Sequence, residues 1–217
     1  MTGDPHINYR GKIKDRATSS NFLSNRLSTN KKFSSRDFFD WHLSHLALFE
    51  GMEVLDVGCG TGAQALPISR LIGASGRICG LDISDSSINT LKINDQIGNI
   101  EAIASDMMNL RQLSSNSFSL KLFDLVMSTY ALYYADDPVF VLDIMTELMK
   151  PNGAKAIFVP DVPHGMVDFV SNFCQIPKEV TQSLHFARSV LEPYFRSKFW
   201  DVSIHLYRNE VKLPDSE

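Results

Sequence analysis

Cysteine is scarce in this 217-residue chain, with only Cys59, Cys79 and Cys174. Three such scattered residues form no metal-type cluster, and an odd count reads as reduced thiols rather than a disulfide framework. Long apolar runs are missing too, since none approaches the roughly 20 residues that a membrane-spanning helix needs. The first ten residues are polar and hold no signal-peptide core, so the expected compartment is the cytoplasm. No internal repeat is present. The six histidines (His6, His42, His45, His164, His185 and His205) are scattered and offer no convincing acid–base pair, so no catalytic residue is named from the sequence.

What is present is enough for one core: 44% hydrophobic residues in 24.4 kDa predict a single domain, with room for a small cap. The formal charge of −4 hides an asymmetry. Residues 1–36 hold eight basic side chains against Asp4 and Asp15, and the rest of the chain is strongly acidic. The segment 1–34 is also poor in apolar residues. It reads as a solvated, mobile arm that can act as a lid or steer an anionic partner.

The organising stretch is Val54-Leu55-Asp56-Val57-Gly58-Cys59-Gly60-Thr61-Gly62. An apolar run that passes through one acid into three glycines two apart predicts a buried parallel strand turning sharply into a helix near residue 63. Glycine accepts positive φ and lets the backbone approach a ligand, and the free N–H groups of the following helix favour a negative group. Dinucleotide-binding turns space their glycines G-x-G-x-x-G, so the G-x-G-x-G spacing here points away from NAD. Cys59 reads as a small filler in that turn.

Around it the pattern alternates. Ser35 is positioned to cap a helix over 36–49, and strands are expected at 52–57, 77–81, 100–104, 123–128, 154–159 and 200–213. Helices are expected at 63–72, where Pro67 is expected to introduce a bend, at 85–96 and at 138–149. The serine-rich patch 113–120 reads as a surface loop, and Lys150-Pro151-Asn152-Gly153 as a turn. Strands alternating with helices imply an α/β, doubly wound, mostly parallel sheet with helices on both faces and ligands at the carboxyl ends of the strands.

Acids stand at those strand ends. Asp82 lies 20 residues beyond Gly62, where doubly wound nucleotide folds place a carboxylate on ribose hydroxyls; Ser84 and Asp85 are better placed to cap the next helix. Asp106 can accept from an exocyclic amine, with Met107 offering a backbone N–H and a soft wall; the competing reading is an ordinary loop aspartate. The fourth strand carries Ser128 and Tyr130 to the same edge. Tyr130 is suited to wall a site or hydrogen-bond a substrate, whereas Tyr133 and Tyr134 read as packing groups.

In motif order, the glycine turn, Gly80-Leu81-Asp82-Ile83-Ser84, Ser105-Asp106-Met107, the fourth strand and Leu148-Met149-Lys150-Pro151-Asn152-Gly153 resemble class I S-adenosylmethionine (SAM) dependent methyltransferases, of the small-molecule and quinone-type group. That resemblance covers residues 50–160. It implies a Rossmann-like fold, SAM as methyl donor with S-adenosylhomocysteine as product, and a cofactor site drawn from Asp56, Gly58, Cys59, Gly60, Thr61, Gly62, Asp82, Ile83, Asp106, Met107, Ser128 and Tyr130. Outside that span the resemblance weakens: the arm and 164–199, a helical stretch expected to cap the site, are the parts that differ between members and are expected to select a small-molecule acceptor. The Asn/Asp-Pro-Pro-Tyr sequence of amine methyltransferases, the Pro-Cys pair of pyrimidine C5 enzymes and the metal-site acid of catechol-type enzymes are all missing, so metal-assisted chemistry is disfavoured. One departure concerns the sheet: the family ends with two antiparallel strands, and after 200–213 no residues remain for a second. Either the chain is cut short of the family's last strand, or the edge is finished by something else, the arm or another subunit, since an unpaired edge strand invites pairing. An RNA methyltransferase using the basic arm, a non-catalytic SAM-binding module and a nicotinamide-dependent oxidoreductase remain as alternatives.

Overall fold

The computed structural model describes residues 36–116 and 122–210. Segment 1–34 and the proposed cap Ser35 lie outside the described residues. Five strands, β1 (Glu53–Val57), β2 (Arg77–Asp82), β3 (Ile100–Ala104), β4 (Phe123–Thr129) and β5 (Met149–Phe158), form one sheet in the order β3-β2-β1-β4-β5. Every neighbouring pair is parallel. Parallel strands need both faces covered, which is why β1 reads as a continuous apolar run. Val54 packs on one side with Ile78 and Leu125, and Leu55 on the other with Cys79 and Val126.

The first face is covered by α1 (Phe38–Ser44), α2 (Ala65–Ile72) and α3 (Asp85–Asn94). The second is covered by α4 (Leu110–Asn116), α5 (Pro138–Glu147) and the end of the chain's helical region. That region contains α6 (Gly165–Ser171), α7 (Lys178–Phe186), a π-turn Ala187–Leu191 and α8 (Glu192–Lys198). The stretch 164–199 is therefore helical, but Phe186, Leu191 and Tyr194 are buried in the core against the β5 side of the sheet. None of the helices of the described residues is long and apolar enough to cross a membrane.

Local chemistry explains the boundaries. Asp37 caps α1 by accepting from the N–H groups of Phe39 and Asp40 at 2.7 and 3.3 Å, so the helix is shorter than the expected 36–49. Pro67 falls in the first turn of α2, where a missing N–H leaves no helical bond unmade, so the expected bend has no cause. Ser84 caps α3 and Asp137 caps α5.

Three expectations about the fold are corrected. Residues 113–116, expected as loop, continue α4, which is anchored by the buried Leu110; residues 117–121 lie outside the described residues. The turn expected at 150–153 lies inside β5 as a bulge: Phe123 pairs with Met149 and Leu125 with Ala154, three extra residues on β5. Turn residues suit both structures, because a Cβ on Gly153 would sit 2.9 Å from the Phe123 carbonyl oxygen. Residues 200–210 form no strand, and 211–213 lie outside the described residues. The tail is held on α1 instead, where the Tyr207 hydroxyl donates to the Arg36 carbonyl at 2.7 Å and its ring packs on Phe38 and Trp41. Among the described residues, no strand pairs with the far side of β5.

Candidate functional site

The strand order reverses between β1 and β4, so the crevice at their carboxyl ends is where an open parallel sheet binds ligands. β1 delivers Asp56 and Val57 into a turn with Gly58 at φ +84°, Gly60 at +53° and Gly62 at +87°. A Cβ on Gly58 would lie 2.1 Å from the Ala131 Cβ, so the turn and the residues after β4 meet in direct contact.

Four amides of the turn itself are spent inward. Gly58 and Cys59 both donate to the Leu81 carbonyl at 2.6 and 3.0 Å, Gly62 donates to the Cys59 carbonyl, and Gly60 donates to Asp82 Oδ2 at 2.9 Å. A cradle for an anion would need those donors. Cys59 is buried with its Sγ under Gly80, and burial raises its thiol pKa, which fits the filler reading.

Carboxylates ring the crevice. Asp82, at the end of β2, accepts from Gly60 through Oδ2 and from the Ser84 N–H through Oδ1 at 2.9 Å. Each oxygen retains a second lone pair. Burial raises its pKa against the pull of those backbone donors. Asp56 is 1% exposed and neither of its oxygens has a hydrogen-bond partner among the described residues. Burial, then the nearby Asp82 carboxylate, pushes its pKa up to about 7. Asp106 follows β3 and accepts the Met108 N–H at 3.0 Å, capping the short turn Met107–Asn109. The Ser105 N–H donates to the Asp82 carbonyl at 2.8 Å, which brings the β2 and β3 acids to one rim.

The remaining sequence-derived residues surround this rim. Ile83 is exposed at the end of β2, Met107 is half-buried beside it in sequence order after β3, and Thr61 is half-buried on the glycine turn. Ser128 is fully buried, and its Oγ has no hydrogen-bond partner among the described residues. Tyr130 has φ +54°, a strained value for a non-glycine residue. Its N–H donates to the Phe158 carbonyl at 2.8 Å and its ring stands 5.4 Å from Phe38.

Sequence reasoning missed His42. It is fully buried on α1, its Nε2 lies 3.3 Å from Thr129 Oγ1, and its ring stands 4.0 Å from Phe158. Burial lowers its pKa to about 4, so it is a neutral imidazole bracing the end of β4. The available signal was its spacing four residues after Phe38, on the apolar stripe of its helix. Phe38, Trp41, Tyr130, Phe158 and Tyr207 make an aromatic wall on a cavity of about 3530 Å³ that extends along β5.

A family profile described as methyltransferase domain matches residues 48–196. A demethylmenaquinone methyltransferase of Staphylococcus carnosus is 32% identical over 108 residues, 48% of this chain and 41% of that protein. A mitochondrial ubiquinone biosynthesis O-methyltransferase of Dictyostelium discoideum is 30% identical over 137 residues, 58% of this chain and 40% of that protein. The match thus spans about four tenths of the length of these relatives. Among solved structures, a complex between the Haloferax volcanii Trm112 methyltransferase activator and a putative methyltransferase is similar in fold, with TM-score 0.51 and 22% identity. That similarity covers 73% of this chain and 66% of the other.

Proposed function

Because the chain belongs to the methyltransferase-domain family, we propose that it binds S-adenosylmethionine in the β1–β2–β4 crevice and methylates a small planar acceptor by direct in-line displacement. The observation that carries this reading is the pairing of an acid-lined rim with a glycine turn whose amides point inward. The G-x-G-x-G spacing, with the Gly60 amide spent on Asp82, leaves the turn short of the donors that a dinucleotide-binding turn gives a pyrophosphate, so a nicotinamide dinucleotide is disfavoured. A ligand with an ammonium group and a hydroxyl-rich ribose finds acceptors. Asp56 supplies the unpartnered buried carboxylate for the ammonium, and Asp82 supplies the remaining lone pairs for the ribose hydroxyls. Ile83 and Met107 provide apolar walls for the base, with Asp106 at its polar edge.

When bound, S-adenosylmethionine supplies a methyl carbon on a sulfonium, already activated for displacement. The protein's share is positioning, which can be worth effective molarities of about 10⁵–10⁸ M. Tyr130, held in its strained conformation between Phe38 and the Phe158 carbonyl, places a phenol ring at the edge of the crevice. The aromatic wall beyond it suits a flat ring, in keeping with relatives whose names denote quinone biosynthesis. The test is calorimetric titration with S-adenosylhomocysteine, followed by a screen of hydroxyaromatic acceptors with S-adenosylmethionine. Micromolar-range binding abolished by Asp56→Ala is expected. Absence of S-adenosylhomocysteine binding alongside NAD binding would overturn the assignment.

A further inference from the structure

Helix α1 meets the sheet through one stripe of side chains. Trp41 and His42 follow Phe38 by three and four residues, so the three share a face, and all of them reach the corner where β4 ends. Between ring centroids, Phe38 lies 5.4 Å from Tyr130, Trp41 6.0 Å from Phe158 and His42 4.0 Å from Phe158. His42 Nε2 is also 3.3 Å from Thr129 Oγ1. Thr129 is the last residue of β4 and pairs with Phe158 across the ladder, and the residue after it is Tyr130 at φ +54°.

A left-handed tyrosine persists only where its surroundings over-determine it. The Tyr130 N–H is fixed on the Phe158 carbonyl at 2.8 Å and its ring rests on Phe38. The chain enters the corner through Thr129, whose side chain is tied to His42. Stability does not account for an imidazole at that place. The position is fully buried, and an apolar side chain would fill it without desolvating two ring nitrogens. Burial, then the nearby His45, lowers the His42 pKa, and Nδ1 has no hydrogen-bond partner among the described residues. What the imidazole adds over an apolar group is one directional bond, and that bond ends on Thr129.

We propose that His42 is a positioning residue: by holding the Thr129 hydroxyl it fixes the corner that carries the Tyr130 ring to the ligand crevice. The inference rests on the reading of that crevice as the S-adenosylmethionine site. A ring that borders a reacting methyl group tolerates little drift, since a misplacement of about 1 Å can cost roughly 10²-fold in rate. Positioning is also separable from stability at this pair. Removing the Thr129 hydroxyl alone strands His42 Nε2 in a buried place, whereas removing hydroxyl and imidazole together leaves neither group stranded.

The test is NMR of the full chain carrying ring-labelled tyrosine, with the Tyr130 signal picked out from the six tyrosines by its loss in Tyr130→Phe. The wild type is expected to give one Tyr130 signal without ligand, and S-adenosylhomocysteine to shift it. Thr129→Val and His42→Phe are each expected to split or broaden that signal, and Thr129→Ser, which keeps the hydroxyl, to preserve it. Thr129→Val is also expected to lower the melting temperature. The double variant is expected to recover the melting temperature without recovering the single signal, whereas a purely structural role would return both together. Should His42→Phe overpack its place, His42→Leu replaces it in the single and double variants. A wild-type Tyr130 signal in either single variant, or its return in the double variant, would overturn the proposal. So would bound S-adenosylhomocysteine that leaves the wild-type signal unmoved. If S-adenosylhomocysteine does not bind at all, the reading of the crevice fails, and the ligand-free spectra still decide whether His42 positions Tyr130.

Discussion

Asp56 carries the sharpest consequence at the scale of a single residue. Its carboxyl keeps a proton up to about pH 7 in the folded chain, whereas an unfolded aspartate loses it near 3.8. Between those values the folded state binds more protons, so its stability falls as pH rises through that window. Asp56→Asn removes that slope. Urea unfolding from pH 5 to 8 is expected to show the wild type losing a few kcal/mol more than the variant over that range. The variant is also expected to bind S-adenosylhomocysteine more weakly, and equal pH slopes would show that Asp56 has a partner after all. Asp82→Ala is expected to weaken the same ligand by roughly 1–3 kcal/mol, read by calorimetry, because hydroxyl donors in a half-buried site lose their acceptor. These acids were legible in the sequence because strand ends and spacing locate them without any tertiary information. The fate of the turn's amides was not, since their acceptors, the Leu81 carbonyl and the Asp82 carboxylate, lie some twenty residues further along the chain. His42 was hidden for the same reason, its partner being Thr129.

At the scale of elements, the β4 corner stores strain that a substitution can read out. Alanine at a position with φ +54° keeps the steric cost of the left-handed region, and glycine does not. Tyr130→Gly is therefore expected to be about 1 kcal/mol more stable than Tyr130→Ala in denaturant unfolding, the reverse of their order in ordinary structure. The β5–α8 junction gives a second reading. Burial lowers the Lys155 pKa to about 7, so from there to about 10 the unfolded chain holds a proton that the folded chain lacks. Stability is then expected to rise with pH over that interval, and Lys155→Met to lose that rise in melting curves at pH 7 and 9. The first four strands were legible to within a residue or so because each is an apolar run bounded by glycine or an acid. The β5 bulge and the tail were not. A Pro-Asn-Gly sequence signals chain reversal and bulge alike, and the alternation of Trp200, Val202, Ile204 and Leu206 describes a strand only where an edge accepts it. In the described residues that segment is held by Tyr207 on α1 instead.

For the whole molecule, the distribution of charge decides which ligand the fold accepts. The three acids at the carboxyl ends of β1, β2 and β3 belong to a body whose net charge is negative once the basic segment 1–36 is set aside. A compound bearing an ammonium group and no phosphate gains from that field, and a dinucleotide loses. Anything that binds the folded chain alone stabilises it by about 2.7 kcal/mol at a hundredfold excess over its Kd. For a chain of this size that corresponds to a rise in melting temperature of roughly 5–10 °C. S-adenosylmethionine and S-adenosylhomocysteine are both expected to produce such a rise, and NAD none, in thermal melts at matched ionic strength. Raising the salt tests the origin of the preference. The acids sit in a partly desolvated crevice where screening is weak, so the shift is expected to survive 0.5 M salt with little loss. A shift that collapses with salt would place the binding on exposed surface charges, and the crevice would then not be the cofactor site.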